Sequence, residues 1–576
     1  MKENLSKPEN NPAGKAQAKD ETVTNRRDFL GKFGKAAIIG TAIGAVGAKP
    51  FLDGRSSEAA AQKFNTLIPT RSQKAYQWRT SSALQSYHAT SPNIRHPTNS
   101  DESLYPNLIA GYSKALPHDA NGEVVPAAYE MLLQAVRSGI PADFEQIPLG
   151  GARKLTSPQS GLAFDSEGGD AHSFVMPPAP AFASREIAAE IAENYWMALL
   201  RDVPFADYPN NPTANAAAAD LTLFGSDLKA PKNENGQVTP NLLFRGLSAG
   251  DRVGPLMSQF WYLPCFFGAN EINQKIRTVR GIADGGQDYM TDYNSWLAVQ
   301  NGVNPTLTDN FDPVPRYMRN GRDLGQWVHI DVLFQGYFQA FLCTAGMGVP
   351  FDSGNPYANS TNQAGFATFG GPHVATLLCE VATRALKAVW FQKWIVHRRF
   401  RPEVFAARIH RKLYAGADYP VHSEILNSIG SATRLGGYLN SGNALLSQAF
   451  PEGSPTHPAY GAGHATVAGA CVTILKAWFN ESTVVPNPVV PDVTGTMLVP
   501  YNGSENLTVG GELNKIASNV ANGRNIAGVH WRSDANASLK LGEAIAISIL
   551  KSQKSCYNEQ FDGFSLTKFD GTTITV

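Results

Sequence analysis

The chain has 576 residues, of which 43% are hydrophobic and 17% are charged, a composition typical of a globular protein and too apolar for global disorder. Its 49 lysines and arginines balance its 49 aspartates and glutamates. This balance excludes a general basic surface for nucleic acid or an anionic membrane. The five cysteines include no Cys-x-x-Cys pair, which argues against zinc, and their odd number leaves at least one thiol unpaired unless subunits are bridged.

The N-terminal segment is predicted to be a targeting signal. Paired arginines, Arg26 and Arg27, precede Phe29-Leu30 and an apolar run over 36–48. This run is too short for a membrane helix, which needs about 20 apolar residues. The pattern resembles a twin-arginine export signal, and a short amphipathic anchor is the alternative. We expect residues 1–61 to direct a bacterial protein to the periplasm or cell surface, with cleavage after Ala48 or Ala61.

The rest of the chain is predicted to be mostly helical. Ser184 is a candidate N-cap before an apolar face repeating every four residues. Further helices are expected over 331–347, 373–399, 465–479 and 535–554. The helix over 373–399 is the longest of these, with Pro372 in its first turn and Pro402 ending it. Strand patterns are scarce, at 483–490 and 572–576, and residues 85–180 and 205–245 are predicted to be long connections. The predicted fold class is therefore all-α, with helical bundles, long ordered loops and few minor strands.

Three segments carry chemistry, and the first is basic. Lys393, His397, Arg398, Arg399 and Arg401 alternate with aromatic and aliphatic side chains before Pro402. A solvated cationic helix end is one interpretation, since the helix dipole favours it. Cations embedded among apolar residues instead need an anion, either carboxylates or a bound ligand.

The second segment, 454–466, is a turn of small residues that leads into a helix beginning near His464. Such a turn presents backbone N–H groups at a positive helix end, which suits an oxyanion. His464 could act there as acid or base, or simply be a first-turn residue.

The third segment runs from Arg524 to Asp534. Gly528 is predicted to end one helix, which puts His530 in a bend before the next helix, capped by Ser533 or Asp534. A neutral imidazole in that bend could bind a metal, oriented by a partner at its other nitrogen.

The three segments contain, in this order, the motifs Lys-x7-Arg-Pro, Gly-His and Arg-x5-His-x3-Asp. This combination resembles the vanadium-dependent haloperoxidases and the related acid phosphatases. Additional segments are similar to the bromoperoxidases of marine algae and cyanobacteria: 321–325, 328–331, 365–373, 396–399 and 454–458. The resemblance implies a haloperoxidase over 62–576, with an N-terminal helical part at 62–310 and a vanadate-binding core at 311–576.

The resemblance also implies a vanadate cofactor and a role for each matching residue. Vanadium would be bonded to His530. The charge of the vanadate oxygens would be balanced by Lys393, Arg401 and Arg524, and the backbone N–H of Gly463 would also bind an oxygen. His464 would handle the proton of hydrogen peroxide, and Lys393 would polarise the bound peroxide. Three further residues would lie just behind the vanadate contacts: Asp331, which would brace Arg524, and His457 and Trp390.

The implied function is oxidation of bromide or iodide by hydrogen peroxide to hypohalous acid, which halogenates a small organic acceptor. An acid phosphatase using the same pocket, with His530 as nucleophile, and an oxyanion-binding protein without turnover are the alternatives. Relatives form homo-oligomers, and no membrane span is expected in the mature protein. Two departures stand out: Ala462 replaces a family serine that donates to vanadate, and the loop after Asp352 has too few carboxylates for calcium.

Overall fold

The computed structural model describes residues 54–90 and 94–576, with side chains from residue 70 onward. The predicted export signal therefore lies largely outside the described residues. Within the described ranges, no helix is both long enough and apolar enough to cross a membrane.

Helices dominate the described chain, which matches the predicted all-α class. They are, in chain order, α1 (Gly54–Ala89), α2 (Asp101–Leu104), α3 (Pro126–Ser138), α4 (Pro141–Phe144), α5 (Arg185–Leu199), α6 (Pro212–Thr222), α7 (Tyr293–Gln300), α8 (Gly321–Ile330), α9 (Gln335–Gly346), α10 (Gly371–Phe391), α11 (Pro402–Tyr414), α12 (Ser423–Ile429), α13 (Gly463–Trp478), α14 (Val509–Ile526) and α15 (Arg532–Lys554). A π-helical turn, Gln392–His397, follows α10, and short 3₁₀ turns connect other elements.

The strands form three small antiparallel hairpins. They are β1 (Cys265–Phe267) with β2 (Asn270–Ile272), β3 (Val489–Pro491) with β4 (Leu498–Pro500), and β5 (Ser565–Thr567) with β6 (Thr573–Thr575). In the first hairpin Cys265 pairs with Ile272, and Phe267 pairs with Asn270. Both predicted strand segments, 483–490 and 572–576, thus form only short strands, as expected. The first strand, β3, is shorter than predicted and begins only at Val489.

Helix α13 lies at the centre of the bundle, packed against α10, α14 and α15. Every residue of α13 except His464 is buried. Two glycines allow α13 and α15 to approach closely: a Cβ at Gly469 would lie 2.1 Å from the Leu539 carbonyl oxygen, and one at Gly542 would lie 2.0 Å from that of Thr466. The start of α13, where the partly exposed His464 lies, is therefore held rigidly among three other helices.

Several predicted helix boundaries are confirmed and others are wrong. The Ser184 hydroxyl accepts the Ile187 N–H at 3.2 Å, as expected for an N-cap. The long helix does not run to Arg399, because α10 gives way to the π turn and Arg398 takes a left-handed φ of 38°. Pro402 begins α11 rather than ending α10, which suits a residue with a fixed φ and no N–H.

The predicted long connections contain helices that the sequence analysis missed. Helix α3 has Pro126 at its first position and is followed by Gly139 in the left-handed conformation. Helix α6 begins with Pro212, and the Asn211 side chain accepts the Ala214 N–H at 3.0 Å. These are ordinary start and stop signals, obscured by the high Pro and Asn content of the surrounding segments.

Candidate active site

Three cations from separate elements are buried around one cavity. Lys393 lies in the π turn, Arg401 immediately precedes α11, and Arg524 lies in the last turn of α14. Their exposed fractions are 0%, 0% and 4%. Within the described part of the chain, none of the three has a carboxylate oxygen within 4.0 Å. Buried charge without a counter-ion is costly, so this arrangement favours a bound anion.

The three side chains are held in place by backbone carbonyls instead of carboxylates. Lys393 Nζ donates to the Pro458 oxygen at 2.7 Å, and Arg401 donates to the Val529 oxygen at 2.7 Å. Arg524 donates to the Val328 oxygen at 2.7 Å, while its buried Nε has no hydrogen-bond partner. Neutral carbonyls fix the direction of each cation but leave its charge uncompensated.

Burial and mutual repulsion act on the pKa of each cation. Burial lowers the pKa of Arg401 and of Arg524 to about 10, and Arg401 further disfavours the charge on Arg524. Burial, followed by repulsion from Arg401, lowers the pKa of Lys393 well below its usual range. An anion in the cavity would reverse this effect, because it favours the charged form of all three groups.

His530 occupies the bend between α14 and α15, as predicted. The turn is made by Gly528, whose φ is 88°. The His530 Nδ1 lies 2.8 Å from Asp534 Oδ2, and its Nε2 lies 2.9 Å from an Arg401 nitrogen. Burial and the neighbouring cations lower the pKa of His530 well below 6.5, so the ring is neutral. With Nδ1–H held by the carboxylate, the lone pair resides on Nε2, the arrangement that metal-binding histidines use.

Asp534 connects His530 to a buried ionic network that the sequence analysis missed. Arg399 donates to Asp534 Oδ1 at 2.8 Å and to Glu190 Oε2 at 3.0 Å. The neighbouring Arg398 pairs with Glu102 at 2.6 Å. The basic segment is therefore divided: Arg398 and Arg399 neutralise carboxylates, whereas Lys393 and Arg401 do not. Glu190 and Glu102 are so distant in sequence that no local pattern could have indicated these partners.

His464 stands at the beginning of α13 and pairs with Asp331. Its Nε2 lies 2.9 Å from Asp331 Oδ1, and its side chain is 30% exposed. Asp331 makes no direct ion pair with Arg524 within 4.0 Å, although its charge favours the charged form of Arg524 through space, so its bracing role stays a prediction. Asp331 follows the last residue of α8 with extended backbone and reaches towards α13. Arg524 instead caps the Val328 carbonyl, one of the orphan acceptors at the end of α8.

Gly463 is the first residue of α13 and lies against an aromatic wall. A Cβ at Gly463 would lie 3.1 Å from Trp390 Cζ3. The N–H groups of a first helical turn have no partner within the helix, so they can donate to a ligand. The N–H of the preceding Ala462 is already used, since it donates to the Ser538 hydroxyl at 2.8 Å.

His457 and Trp390 line the cavity and contact the buried cations. His457 Nδ1 lies 3.0 Å from an Arg401 nitrogen, and the two rings of His457 and Trp390 are 4.7 Å apart. Trp390 Nε1 donates to the Thr156 oxygen at 3.2 Å, and Lys393 Nζ lies 5.5 Å from the Trp390 ring. These contacts restrict how far the cations can move.

These groups surround a cavity of about 280 Å³. It is lined by His329, Asp331, Leu333, Tyr337, Leu386, Trp390, Pro455, His457, Gly463, His464, Arg524 and His530. His329 was not singled out from the sequence: its ring stacks on Phe450 at 3.9 Å, and its Nε2 lies 2.7 Å from Glu452 Oε1. In the described part of the chain, no cluster of three or more His, Cys, Asp or Glu side chains could hold a metal cation. The site is thus built for an oxyanion with one histidine nitrogen beside it.

Comparisons with known proteins agree with this geometry. A family model described as "VCPO second helical-bundle domain" matches residues 381–559. The chain is 37% identical over 560 residues to a vanadium-dependent bromoperoxidase of Corallina pilulifera, covering 83% of this chain and 92% of the relative. It is 34% identical over 488 residues to a vanadium-dependent bromoperoxidase of Ascophyllum nodosum, covering 81% and 86%. The homohexameric structure of a second vanadate-dependent bromoperoxidase from Ascophyllum nodosum superposes with a TM-score of 0.80 at 30% identity, covering 87% of this chain and 90% of that one.

Proposed function

The chain belongs to the vanadium-dependent haloperoxidase family, and from this premise we propose that it oxidises bromide or iodide with hydrogen peroxide to hypohalous acid. The hypohalous acid then halogenates organic compounds. The observation that carries the proposal is the burial of three cations without carboxylate partners around His530: Arg524 lines the cavity, Arg401 lies 2.9 Å from the Nε2 of His530, and Lys393 acts on the same ring through its charge.

These residues fit vanadate. Vanadate is an oxyanion, and three uncompensated cations together with first-turn N–H groups at Gly463 would balance and bind its oxygens. The orphaned Nε of Arg524 is a donor for such an oxygen. The Nε2 of His530 would be the protein atom bonded to vanadium. When bound, vanadate supplies a Lewis-acidic centre at which peroxide is activated without a change in the metal's oxidation state.

The protein's own residues supply orientation and proton transfer. His464 lines the cavity and is held by Asp331 at 2.9 Å, so it is placed to accept and return a proton of hydrogen peroxide. Lys393 is held by two backbone carbonyls and would balance the charge of an oxyanion bound beside His530. Asp534 holds the Nδ1–H of His530, which keeps the lone pair on Nε2, where Arg401 donates to it.

The size of the cavity limits what reacts inside it. A volume of about 280 Å³ accommodates peroxide and a halide beside the oxyanion, whereas sites that enclose drug-sized molecules span about 300–1,000 Å³. We therefore infer that the organic acceptor is halogenated near the cavity mouth or in solution by released hypohalous acid.

The test is a paired assay on protein freed of metal by a chelator. Orthovanadate is added, and bromination of a phenol indicator with peroxide and bromide is measured beside hydrolysis of p-nitrophenyl phosphate. We expect bromination that depends on vanadate and phosphate ester hydrolysis that is much slower. Hydrolysis without bromination would instead identify a phosphatase, and tight vanadate binding without either reaction would identify a binding protein.

Export and assembly are part of the proposal. The paired Arg26-Arg27 and the apolar run after them support export of a folded bacterial protein by the twin-arginine route to the periplasm or cell surface. A homohexameric relative supports a homo-oligomer of this chain. Fractionation of the native host and light scattering of the purified protein test the two points separately.

A further inference from the structure

Two of the five cysteines are buried against each other where β1 packs on α9. Cys265 and Cys343 are both 0% exposed. Cys265 Sγ donates to the Gln339 oxygen at 3.6 Å, one helical turn before Cys343. Cys343 Sγ donates to the Leu263 oxygen at 3.6 Å, two residues before Cys265. Each sulfur thus contacts backbone next to the other cysteine, which places the two thiols beside each other.

The surroundings make the two thiols chemically unequal. The neighbouring Cys343 thiol lowers the pKa of Cys265, whereas the Cys265 thiol and burial raise the pKa of Cys343. Gln274 Nε2 donates to the Leu263 oxygen at 2.6 Å and lies 3.7 Å from Cys343 Sγ, which fixes the hairpin against the helix. Cys265 is therefore the better nucleophile of the pair, with Cys343 positioned to resolve an oxidised partner.

We propose that Cys265 and Cys343 form a disulfide when hydrogen peroxide reaches them. The Cys265 thiolate attacks one peroxide oxygen, the O–O bond breaks, and the departing hydroxide takes a proton to leave as water. The resulting Cys265 sulfenic acid is attacked by the Cys343 sulfur, the S–O bond breaks, and a second water leaves as the S–S bond forms. Two thiols are oxidised and one peroxide is reduced to two waters. The proposal rests on the proposed function only for the source of peroxide.

A disulfide here would protect the core from further oxidation. A single buried thiol exposed to peroxide can proceed to sulfinic acid, a charged group for which the apolar core has no partner. A surface groove is lined by Leu263 and Gln274, the two residues whose polar atoms contact the Cys343 sulfur, so only these residues separate peroxide in the groove from the pair. The bond would also tie the first hairpin to α9, which carries Tyr337 in the wall of the active-site cavity.

The experiment uses the wild-type protein without vanadate or bromide, so its outcome is independent of turnover. Protein is treated with graded hydrogen peroxide, denatured, alkylated and digested for mass spectrometry with and without a reductant. We expect one reducible cross-linked peptide joining Cys265 and Cys343, with Cys471 alkylated throughout. Cys471 is the matched control for burial: its sulfur donates to the Leu378 oxygen, and the adjoining Cys379 thiol acts on it only through its charge.

The exposed Cys556 reports the oxidant dose. Full alkylation of Cys265 and Cys343 at a dose that oxidises Cys556 would overturn the proposal, as would a cross-link to any other cysteine. A second measurement uses Cys343→Ser, in which Cys265 has no resolving partner. We expect peroxide to convert Cys265 to sulfinic acid and to lower the thermal midpoint of this variant, whereas the wild type keeps or gains a few degrees. Equal losses in both proteins would contradict a protective bond.

Discussion

Asp534 Oδ2 lies 2.8 Å from Nδ1 of His530, while the other oxygen of the same carboxylate accepts from Arg399 at 2.8 Å. A single buried carboxylate therefore fixes both the tautomer and the orientation of the histidine that faces the three cations. We therefore expect vanadate binding to depend on this contact as well as on the histidine itself.

Replacing Asp534 with Asn should weaken vanadate binding about 10- to 100-fold, the range found when such an orienting partner is lost. The Asn amide can donate to Nδ1, which would leave the proton on Nε2 and block the lone pair. The measurement is a vanadate titration of apo protein followed by tryptophan fluorescence. Asp251→Asn is the control, since Asp251 is equally buried but bonds to Ser248 and Ser518. Equal affinities in the two variants would show that Asp534 does not orient His530.

Replacing His530 with Ala should abolish halide oxidation and most vanadium retention, because it removes the only protein atom we assign to vanadium. Metal analysis after dialysis measures the retention, and thermal unfolding shows whether the fold persists. A variant that keeps its full vanadium content and full turnover would refute the assignment of His530.

Replacing Lys393 with Met should stabilise the apo protein while weakening vanadate binding. The apo site holds three buried cations without carboxylates, so removing one relieves a desolvation cost on the order of 1 kcal/mol or more. Loss of one charge-assisted contact of roughly 1.5–3 kcal/mol should lower vanadate affinity by about 10- to 100-fold. Bromination at saturating vanadate should fall further, because we expect Lys393 to polarise bound peroxide as well.

Lys476→Met is the matched control for this change. Lys476 is also fully buried, and its Nζ donates to Thr567 and Asn514 far along α13 from the cavity. It should leave vanadate affinity and bromination unchanged. If Lys393→Met lowers the thermal midpoint of the apo protein and leaves vanadate affinity intact, Lys393 is a structural residue.

Replacing Asp331 with Asn should lower the bromination rate more than vanadate affinity. Asp331 contacts His464 and no residue that we assign to vanadate. Without the carboxylate, the imidazole loses its orientation for proton transfer. Steady-state rates at saturating vanadate, compared with a vanadate titration, separate the two effects. Asp170→Asn, which removes a comparable contact to the exposed His172, is the control. A variant that loses affinity but not rate would place Asp331 with the oxyanion instead.

The sequence predicted the histidines and cations of the site but not how they are partnered. Segments with strong local signals, such as the cap at Ser184 and the bend at Gly528, were placed correctly because neighbouring residues determine them. The π turn that carries Lys393 was missed, since no local rule distinguishes it from a continuing α-helix. The pairing of Arg399 with Glu190 depends on how distant helices pack, and a single sequence does not show this.

Replacing Ala462 with Ser should add the donor that the family resemblance implies at this position. Ala462 is the N-cap residue of α13, with φ −81° and ψ 122°, and it makes no side-chain capping bond. A serine hydroxyl at that position can accept the N–H of Ala465 and still donate its own proton to an oxyanion.

Two separate readouts are therefore expected for Ala462→Ser. The capping bond should raise the free energy of unfolding of the apo protein by about 0.5–2 kcal/mol. The donated hydrogen bond should raise vanadate affinity about tenfold or more. Bromination at saturating vanadate should change less than affinity, because Lys393 and His464 act on peroxide. If stability rises but the vanadate titration superimposes on that of the wild type, the hydroxyl caps the helix and faces away from the ion. That result would move the oxyanion away from Ala462, towards the N–H groups of Gly463 and His464.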